Sequence, residues 1–258
     1  MFLRTVNQKT QTVGKQHHGT RDSQQDSFAI IEQKSIFQRN KLLLILADGM
    51  GGQAGGAKAS KLAVESLSDF YKRERCETAE DFARALRKIT GVLARAKEED
   101  PPCKKMGTTL IGAMISKSTV RWMSVGDSPM WILRKGKLIR LNEDHSMASF
   151  FSDFIAMGRM TEEEAAAAPN RCVLRSSVDG EKPSLVDIPA KATALNKGDL
   201  LILASDGLET LSEDEICQII AKFNPEHLDK IADELINAVL AKAKPSQDNT
   251  TIILHRIC

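Results

Sequence analysis

The chain has 258 residues, of which 42% are hydrophobic and 27% are charged, so it can form one well-packed core and is not disordered throughout. The formal net charge of +2 argues against a nucleic-acid partner held mainly through phosphate contacts. The apolar runs are far shorter than the roughly 20 residues that cross a bilayer, and the start lacks a signal peptide. We therefore expect a single cytoplasmic domain, residues 1–258, with no membrane partner.

The hydrophobic pattern predicts strands and helices in an irregular order. Two strands flank a polar loop up to about residue 33, and the run KLLLILA forms a strand buried on both faces. The elements that follow are two amphipathic helices at about 54–75 and 79–98, strands at 108–116, 120–125 and 130–141 with a hairpin at 135–137, helical segments within 149–168, strands at 185–188 and 200–204, a helix after Ser212, a long helix opening at Asn224-Pro225, and a strand at 250–257. This order does not alternate strand and helix, so antiparallel sheets with helices packed outside fit better than a doubly wound parallel sheet.

Five aspartates stand at the ends of candidate core strands: Asp26, Asp48, Asp127, Asp206 and Asp248. A single aspartate there is usually a turn residue, because its side chain bonds to the local backbone. Several that converge would repel one another unless a cation neutralises them. Carboxylates suit hard cations, so the pattern favours a Mg²⁺ or Mn²⁺ site.

Several short motifs, in sequence order, resemble those of the type 2C metal-dependent (PPM) protein phosphatases, in their bacterial form. They are RDSQQD, ADGMGGQAGG, MGTTLIGAMI, VGDSPMWILRKGKLIRLNEDHS, a flap segment at about 147–177, ASDGLETL and QDNTT. Each is weakly specific alone, whereas the ordered set is highly specific and covers nearly the whole chain. The resemblance implies an α+β fold of two packed antiparallel β-sheets, a β-sandwich flanked by α-helices in α-β-β-α layers.

The resemblance also implies two metal ions and a third ion as in bacterial relatives, either Mn²⁺ or Mg²⁺. Asp48 would bridge the first two, with the Gly49 carbonyl on one of them, while Asp206 and Asp248 complete the shell of the other. Asp127, with Asp206, would hold the third.

The implied reaction is hydrolysis of phosphoserine and phosphothreonine in proteins by metal-activated water. Asp26 would orient that water, and Arg21 would grip the substrate phosphate with its guanidinium fork. Phosphorylated proteins would be the partners, supplied by a cognate serine/threonine kinase, and the flap would influence substrate choice.

Four positions depart from the family pattern: Gln25, Met50, Pro129 and Thr210. Gln25 is a poorer metal ligand than the common Glu, and Met50 cannot donate a proton as the His of some relatives can. They motivate the alternative of a weakly active or inactive relative that binds phosphoproteins. A third hypothesis is a different metal hydrolase that acts on nucleic acid or on a small phosphoester. A nucleic-acid substrate is disfavoured, because aromatic residues make up only 5% of the chain and no basic cluster is present.

The remaining polar residues have simpler interpretations. His17 and His18 read as loop residues, with proton transfer near the site as the open alternative. His145 and Ser146 read as stabilising a turn. The five cysteines form no CxxC pair and read as reduced thiols.

Overall fold

The computed structural model describes residues 11–33, 41–74, 76–171, 173–224 and 226–258. The strands are β1 Thr12–His17, β2 Ser27–Gln33, β3 Lys41–Ala47, β4 Gly49–Met50, β5 Gly107–Thr108, β6 Leu110–Ser116, β7 Thr119–Val125, β8 Met130–Arg134, β9 Lys137–Arg140, β10 Thr193–Ala194, β11 Leu200–Ala204 and β12 Thr250–Arg256. The helices are α1 Gln53–Glu74, α2 Ala79–Glu99, α3 Met147–Ala156, α4 Glu162–Ala167, α5 Glu213–Ala221 and α6 Leu228–Ala241.

Two antiparallel five-stranded sheets form the centre of the molecule. The first has the strand order β1-β12-β11-β8-β9, and the second has the order β10-β7-β6-β3-β2. A separate pair joins β4 to β5. The predicted α-β-β-α sandwich is therefore confirmed.

The alternation of side chains along β3 shows why the sheets pack this way. Leu43, Ile45 and Ala47 pack into the cluster beneath α1 and α2. Leu42, Leu44 and Leu46 face the other way, into the cluster between the two sheets. A strand with both faces covered must be apolar at every position, because successive side chains point to opposite faces. Each of these leucines contributes on the order of 2 kcal/mol through burial.

The first sheet is covered on both faces in the same manner. Ile252 and Leu254 of β12 pack with α5 and α6, while Ile253 points into the cluster between the sheets. Capping boxes at Thr78, Thr161 and Ser212 begin α2, α4 and α5, as predicted for the latter two.

Two predicted elements are wrong in detail. The strand at 185–188 is absent, and only Asp187 pairs with Ser124 as an isolated bridge. The Asp187 carboxylate accepts bonds from the Trp122 indole and the Glu143 amide, so side-chain bonds rather than a strand ladder fix this segment. The last long helix begins at Leu228 rather than at Asn224-Pro225, and Pro225 lies outside the described residues.

Within the described ranges, no helix is both long and apolar enough to cross a membrane. Four cysteines are free thiols, namely Cys76, Cys103, Cys217 and Cys258, and Cys172 lies outside the described residues.

Candidate metal centre

The register of the second sheet brings three of the predicted aspartates to one edge. Ala47 at the end of β3 pairs with Ser27 at the start of β2. Asp48 directly follows Ala47 and Asp26 directly precedes Ser27, so the two aspartates lie side by side at this edge of the sheet. On the other side of β3, Leu46 pairs with Ile111, and the adjoining Leu110 pairs with Val125 at the end of β7. Asp127 lies two residues beyond that end.

The first sheet contributes the other two aspartates at the same end of the sandwich. Ala204, at the end of β11, pairs with Ile252 near the start of β12. Asp206 lies two residues after the end of β11, and Asp248 lies two residues before the start of β12, so both aspartates lie at the same end of this strand pair. The Asp206–Thr210 segment then forms a short 3₁₀ helix.

Asp26 connects the two sheet edges. Its Oδ2 accepts hydrogen bonds from Ser205 Oγ at 2.8 Å and from Thr251 Oγ1 at 2.7 Å, and both donors belong to the first sheet. The residue is only 4% exposed. This carboxylate is therefore fixed in place by one oxygen, while its Oδ1 is buried without a hydrogen-bond partner.

The carboxylates are close enough to perturb one another. Burial, followed by the charges of Asp26 and Asp206, raises the pKa of Asp48 well above its ordinary value. Burial and then Asp248 raise the pKa of Asp206, whose side chain also shares a hydrogen bond with Asp48. Burial raises the pKa of Asp26 to about 6. Burial, followed by the charge of Asp206, raises the pKa of Asp127 to about 7.

These residues fit a hard divalent cation. Asp206 Oδ1, like Asp26 Oδ1, is buried and lacks a partner, and such oxygens are costly unless a cation or water satisfies them. No three His, Cys, Asp or Glu side chains in the described part of the chain form a ready-made cage. Instead, Asp248 Oδ2 accepts a bond from Arg21 Nη2 at 2.7 Å.

Thr108, at the end of β5, and the adjoining Thr109 hold the loop that carries Asp48. The Asp48 amide donates to Thr109 Oγ1, while the Asp48 carbonyl accepts from Thr108 Oγ1 and from the Thr109 amide. Gly49 is enclosed by backbone, because a Cβ there would lie 2.1 Å from the Gly56 carbonyl oxygen. The sequence motifs predicted this strand but did not predict that its threonines hydrogen-bond to the backbone of Asp48.

Asn249 holds the loop that carries Arg21. Its Oδ1 accepts from the Gln25 amide at 2.7 Å, and its Nδ2 donates to the carbonyls of His18 and Ser23. Sequence reasoning missed Asn249, Ser205 and Thr251, because a short polar side chain in a strand-end motif gives no periodic signal. The available signal was their position in the chain: Ser205 directly precedes Asp206, Asn249 directly follows Asp248, and Thr251 lies at the start of β12.

A second polar cluster surrounds Asp127. Arg140 Nη2 donates to the Asp127 carbonyl at 2.6 Å, and Arg140 Nη1 lies 3.5 Å from Asp144 and 3.7 Å from Glu209. The His145 Nδ1 accepts from the Gly126 amide, which confirms the prediction that His145 stabilises a turn.

His17 and His18 stack on each other, with ring centroids 4.9 Å apart. His17 Nδ1 accepts from the Gly19 amide, and His18 Nδ1 bonds to the Arg21 carbonyl. The prediction of loop residues is confirmed for His18 and wrong for His17, which ends β1 and pairs with Thr250 of β12.

A family model described as protein phosphatase 2C matches residues 13–247. The chain belongs to the protein phosphatase 2C family. Members of this family are metal-dependent protein serine/threonine phosphatases. Among its relatives is the serine/threonine phosphatase stp of Listeria welshimeri, which is 31% identical over 242 residues, spanning 91% of this chain and 90% of that protein. The serine/threonine protein phosphatase PstP of Mycobacterium tuberculosis is 31% identical over 215 residues, which are 82% of this chain and 40% of that protein.

Solved phosphatase 2C structures share the fold. The serine/threonine phosphatase of S. agalactiae superposes with a TM-score of 0.81 at 28% identity, covering 96% of this chain and 99% of that one. The catalytic domain of PstP, crystallised with two manganese ions, gives a TM-score of 0.75 at 26% identity, covering 95% of this chain and 96% of that one.

Proposed function

We propose that this chain, as a single phosphatase catalytic domain over residues 1–258, hydrolyses phosphoserine and phosphothreonine in proteins at a site holding two or three divalent cations. Asp48, the Gly49 carbonyl, Asp206 and Asp248 would hold two of them, and Asp127 with Asp206 would hold another. The observation that carries the proposal is the meeting of buried carboxylates from both sheets with unpartnered oxygens. Mn²⁺ or Mg²⁺ suits this all-oxygen set.

When bound, the cations lower the pKa of coordinated water and neutralise charge that develops on the phosphoryl group. The protein must then orient the attacking water. Asp26 is suited to this, because Ser205 and Thr251 fix one of its oxygens and leave the other free to accept a hydrogen bond. A proton acceptor held within hydrogen-bond reach is the geometry that general-base chemistry requires.

Arg21 is suited to bind the substrate phosphate. Its side chain is 49% exposed, and its ion pair with the 41% exposed Asp248 is of a kind worth at most about 1 kcal/mol. The guanidinium can therefore exchange Asp248 for a phosphoryl group at little cost. The same exchange frees Asp248 for a cation.

Met50, which departs from the family pattern, affects how the leaving group is protonated. Met50 lies in the β4–β5 pair, and a thioether cannot protonate the departing serine or threonine alkoxide. Water is therefore the proposed proton source. The alternative, a relative that only binds phosphoproteins, rests on Met50 and Gln25, but a binder does not need buried carboxylates that repel one another.

The flap, residues 147–177, is proposed to contact the phosphoprotein. It is anchored beside Asp127, because the His145 amide donates to the Gly126 carbonyl and the Arg175 amide donates to the His145 carbonyl. No residue of α3 is buried, although the helix carries three phenylalanines. Its Phe151 and Ile155 line a groove with Ala165 and Arg171 of the next segment. A cognate serine/threonine kinase would supply the substrate.

The test is hydrolysis of a phosphothreonine peptide by the metal-free protein before and after Mn²⁺ or Mg²⁺ is added. We expect no activity in EDTA, recovery with the metal, and a loss of at least 100-fold in kcat for Asp48→Asn and Asp206→Asn. Asp214→Asn, at an exposed aspartate in the first turn of α5, is the matched control. Phosphopeptide binding without turnover at saturating Mn²⁺ would instead support the binder.

A further inference from the structure

The 3₁₀ helix at Asp206–Thr210 places a further carboxylate beside the cation site. A 3₁₀ helix has three residues per turn, so side chains at i and i+3 eclipse each other. Asp206 and Glu209 therefore share one face of this helix. The intervening Gly207 and Leu208 are buried. A Cβ on Gly207 would lie 2.0 Å from the Asn249 carbonyl, which fixes the helix against the loop that carries Asp248.

Arg140 brings Glu209 into the neighbourhood of Asp127. Its Nη2 is 2.6 Å from the Asp127 carbonyl oxygen, and its Nη1 is 3.7 Å from Glu209 Oε1. One guanidinium group therefore contacts both the backbone carbonyl oxygen of Asp127 and Glu209 Oε1. The side chain of Arg140 is 26% exposed and that of Glu209 is 44% exposed, so Arg140 is partly shielded from water whereas Glu209 is open to it.

The charge in this cluster is unbalanced. Asp127, Asp206, Asp144 and Glu209 are four acids, and the cations beside them are Arg140, which contacts Asp144, Glu209 and the Asp127 carbonyl, and Arg21, whose charge acts on Asp206. Its distances to Asp144 and Glu209, 3.5 and 3.7 Å, exceed the roughly 2.7–2.9 Å of a charge-assisted hydrogen bond. Arg140 therefore does not saturate Glu209. Asp206 Oδ1 on the same face is buried without a partner.

We infer that Glu209 is a further carboxylate partner of the cation proposed for Asp127 and Asp206, with Arg140 as the positioning residue that holds Glu209 beside Asp127. This inference rests on the proposed function. A purely structural ion pair between Arg140 and Glu209 is the competing interpretation, and the two differ in what removal of the Glu209 charge does to metal binding.

The experiment is calorimetric titration of the metal-free full chain with Mn²⁺ alone, with bound ions counted by electron paramagnetic resonance. We expect wild type to bind two ions tightly and a third weakly. Glu209→Gln should weaken the third about 10- to 100-fold, the range found when outer carboxylates of metal sites are removed, and leave the first two unchanged. Glu213→Gln, an exposed glutamate in the first turn of α5, should behave as wild type.

Two further measurements separate the interpretations. Asp127→Asn should remove the third ion, and adding Glu209→Gln to it should change nothing more. Superimposable titrations of wild type and Glu209→Gln, together with a lower melting temperature of Glu209→Gln in EDTA, would establish the structural ion pair and overturn the inference. A wild type that binds only two ions overturns it as well, although the proposed function stands. A wild type that binds none defeats the proposed function itself.

Discussion

The carboxylate at Asp127 should destabilise the metal-free protein at neutral pH. Burial and neighbouring acids raise the pKa of Asp127 from 3.8 to about 7. The folded state therefore holds this proton more tightly than the unfolded state. The associated stability is fully present below pH 3.8, is lost progressively as pH rises to about 7, and is gone above it. The shift corresponds to about 4 kcal/mol, which solvent screening of this partly exposed side chain reduces to about 2 kcal/mol.

Asp127→Asn removes that dependence, since an amide does not titrate. In urea unfolding with EDTA, we expect the variant to gain about 2 kcal/mol over wild type between pH 4 and pH 8. Asp153→Asn, exposed on α3, should follow wild type at every pH. With saturating Mn²⁺ the advantage should shrink, because wild type gains more from binding the ion. If the stability curves of wild type and Asp127→Asn run parallel across this pH range, the repulsion argument is wrong.

Four further substitutions test backbone packing, burial and hydrogen bonding. Gly207→Ala should lower the melting temperature by many degrees, because its Cβ would meet the Asn249 carbonyl at 2.0 Å. Gly91→Ala on α2, where a Cβ meets nothing within 4 Å, should instead raise stability by about 1 kcal/mol in urea titration. Burial lowers the pKa of His255 to about 4, so its stability contribution is present above pH 6.5 and is lost as pH falls toward 4. Wild type should lose about 3 kcal/mol over that interval through this group, and His255→Gln should flatten the dependence in urea unfolding; an unchanged slope would refute it. Ser205→Ala should lower kcat about 10-fold in a phosphopeptide assay by removing one of the two donors that fix Asp26, whereas a kcat equal to wild type would show that Thr251 suffices.

The sheets were predictable because their strands have a strong periodic signal. β3 is apolar at almost every position since both of its faces are buried, and the pattern alone places it within one residue. Long amphipathic helices such as α2 were equally visible, with buried Phe82, Leu86, Ile89 and Leu93 at helical spacing. Two-residue strands such as β10 have no period to detect. The false strand at 185–188 arose from apolar residues that border a single bridge at Asp187.

The position of the candidate site could be predicted from the sequence, whereas the contacts between its side chains could not. Aspartates at strand ends could be expected to converge, and the registers of β2 with β3 and of β11 with β12 bring them to one end of the sandwich. The ion pair between Arg21 and Asp248 joins residues 227 apart in sequence, and no local pattern encodes it. The same holds for Arg140, whose contacts with Asp127 and Glu209 depend on how the end of β9, the segment after β7 and the 3₁₀ helix meet.

The energetics of the carboxylates favour the enzyme over the phosphoprotein binder. A binder recognises a phosphate with guanidinium or amide donors, and anions beside the ligand weaken that recognition. In this fold Asp26, Asp48 and Asp206 are held at one point although burial and mutual repulsion raise the pKa of each. Ser205 and Thr251 further fix Asp26 there rather than let it turn to solvent. Only bound cations convert this arrangement from destabilising to favourable, and a phosphoryl group brought beside cations and a fixed carboxylate is positioned for attack by water.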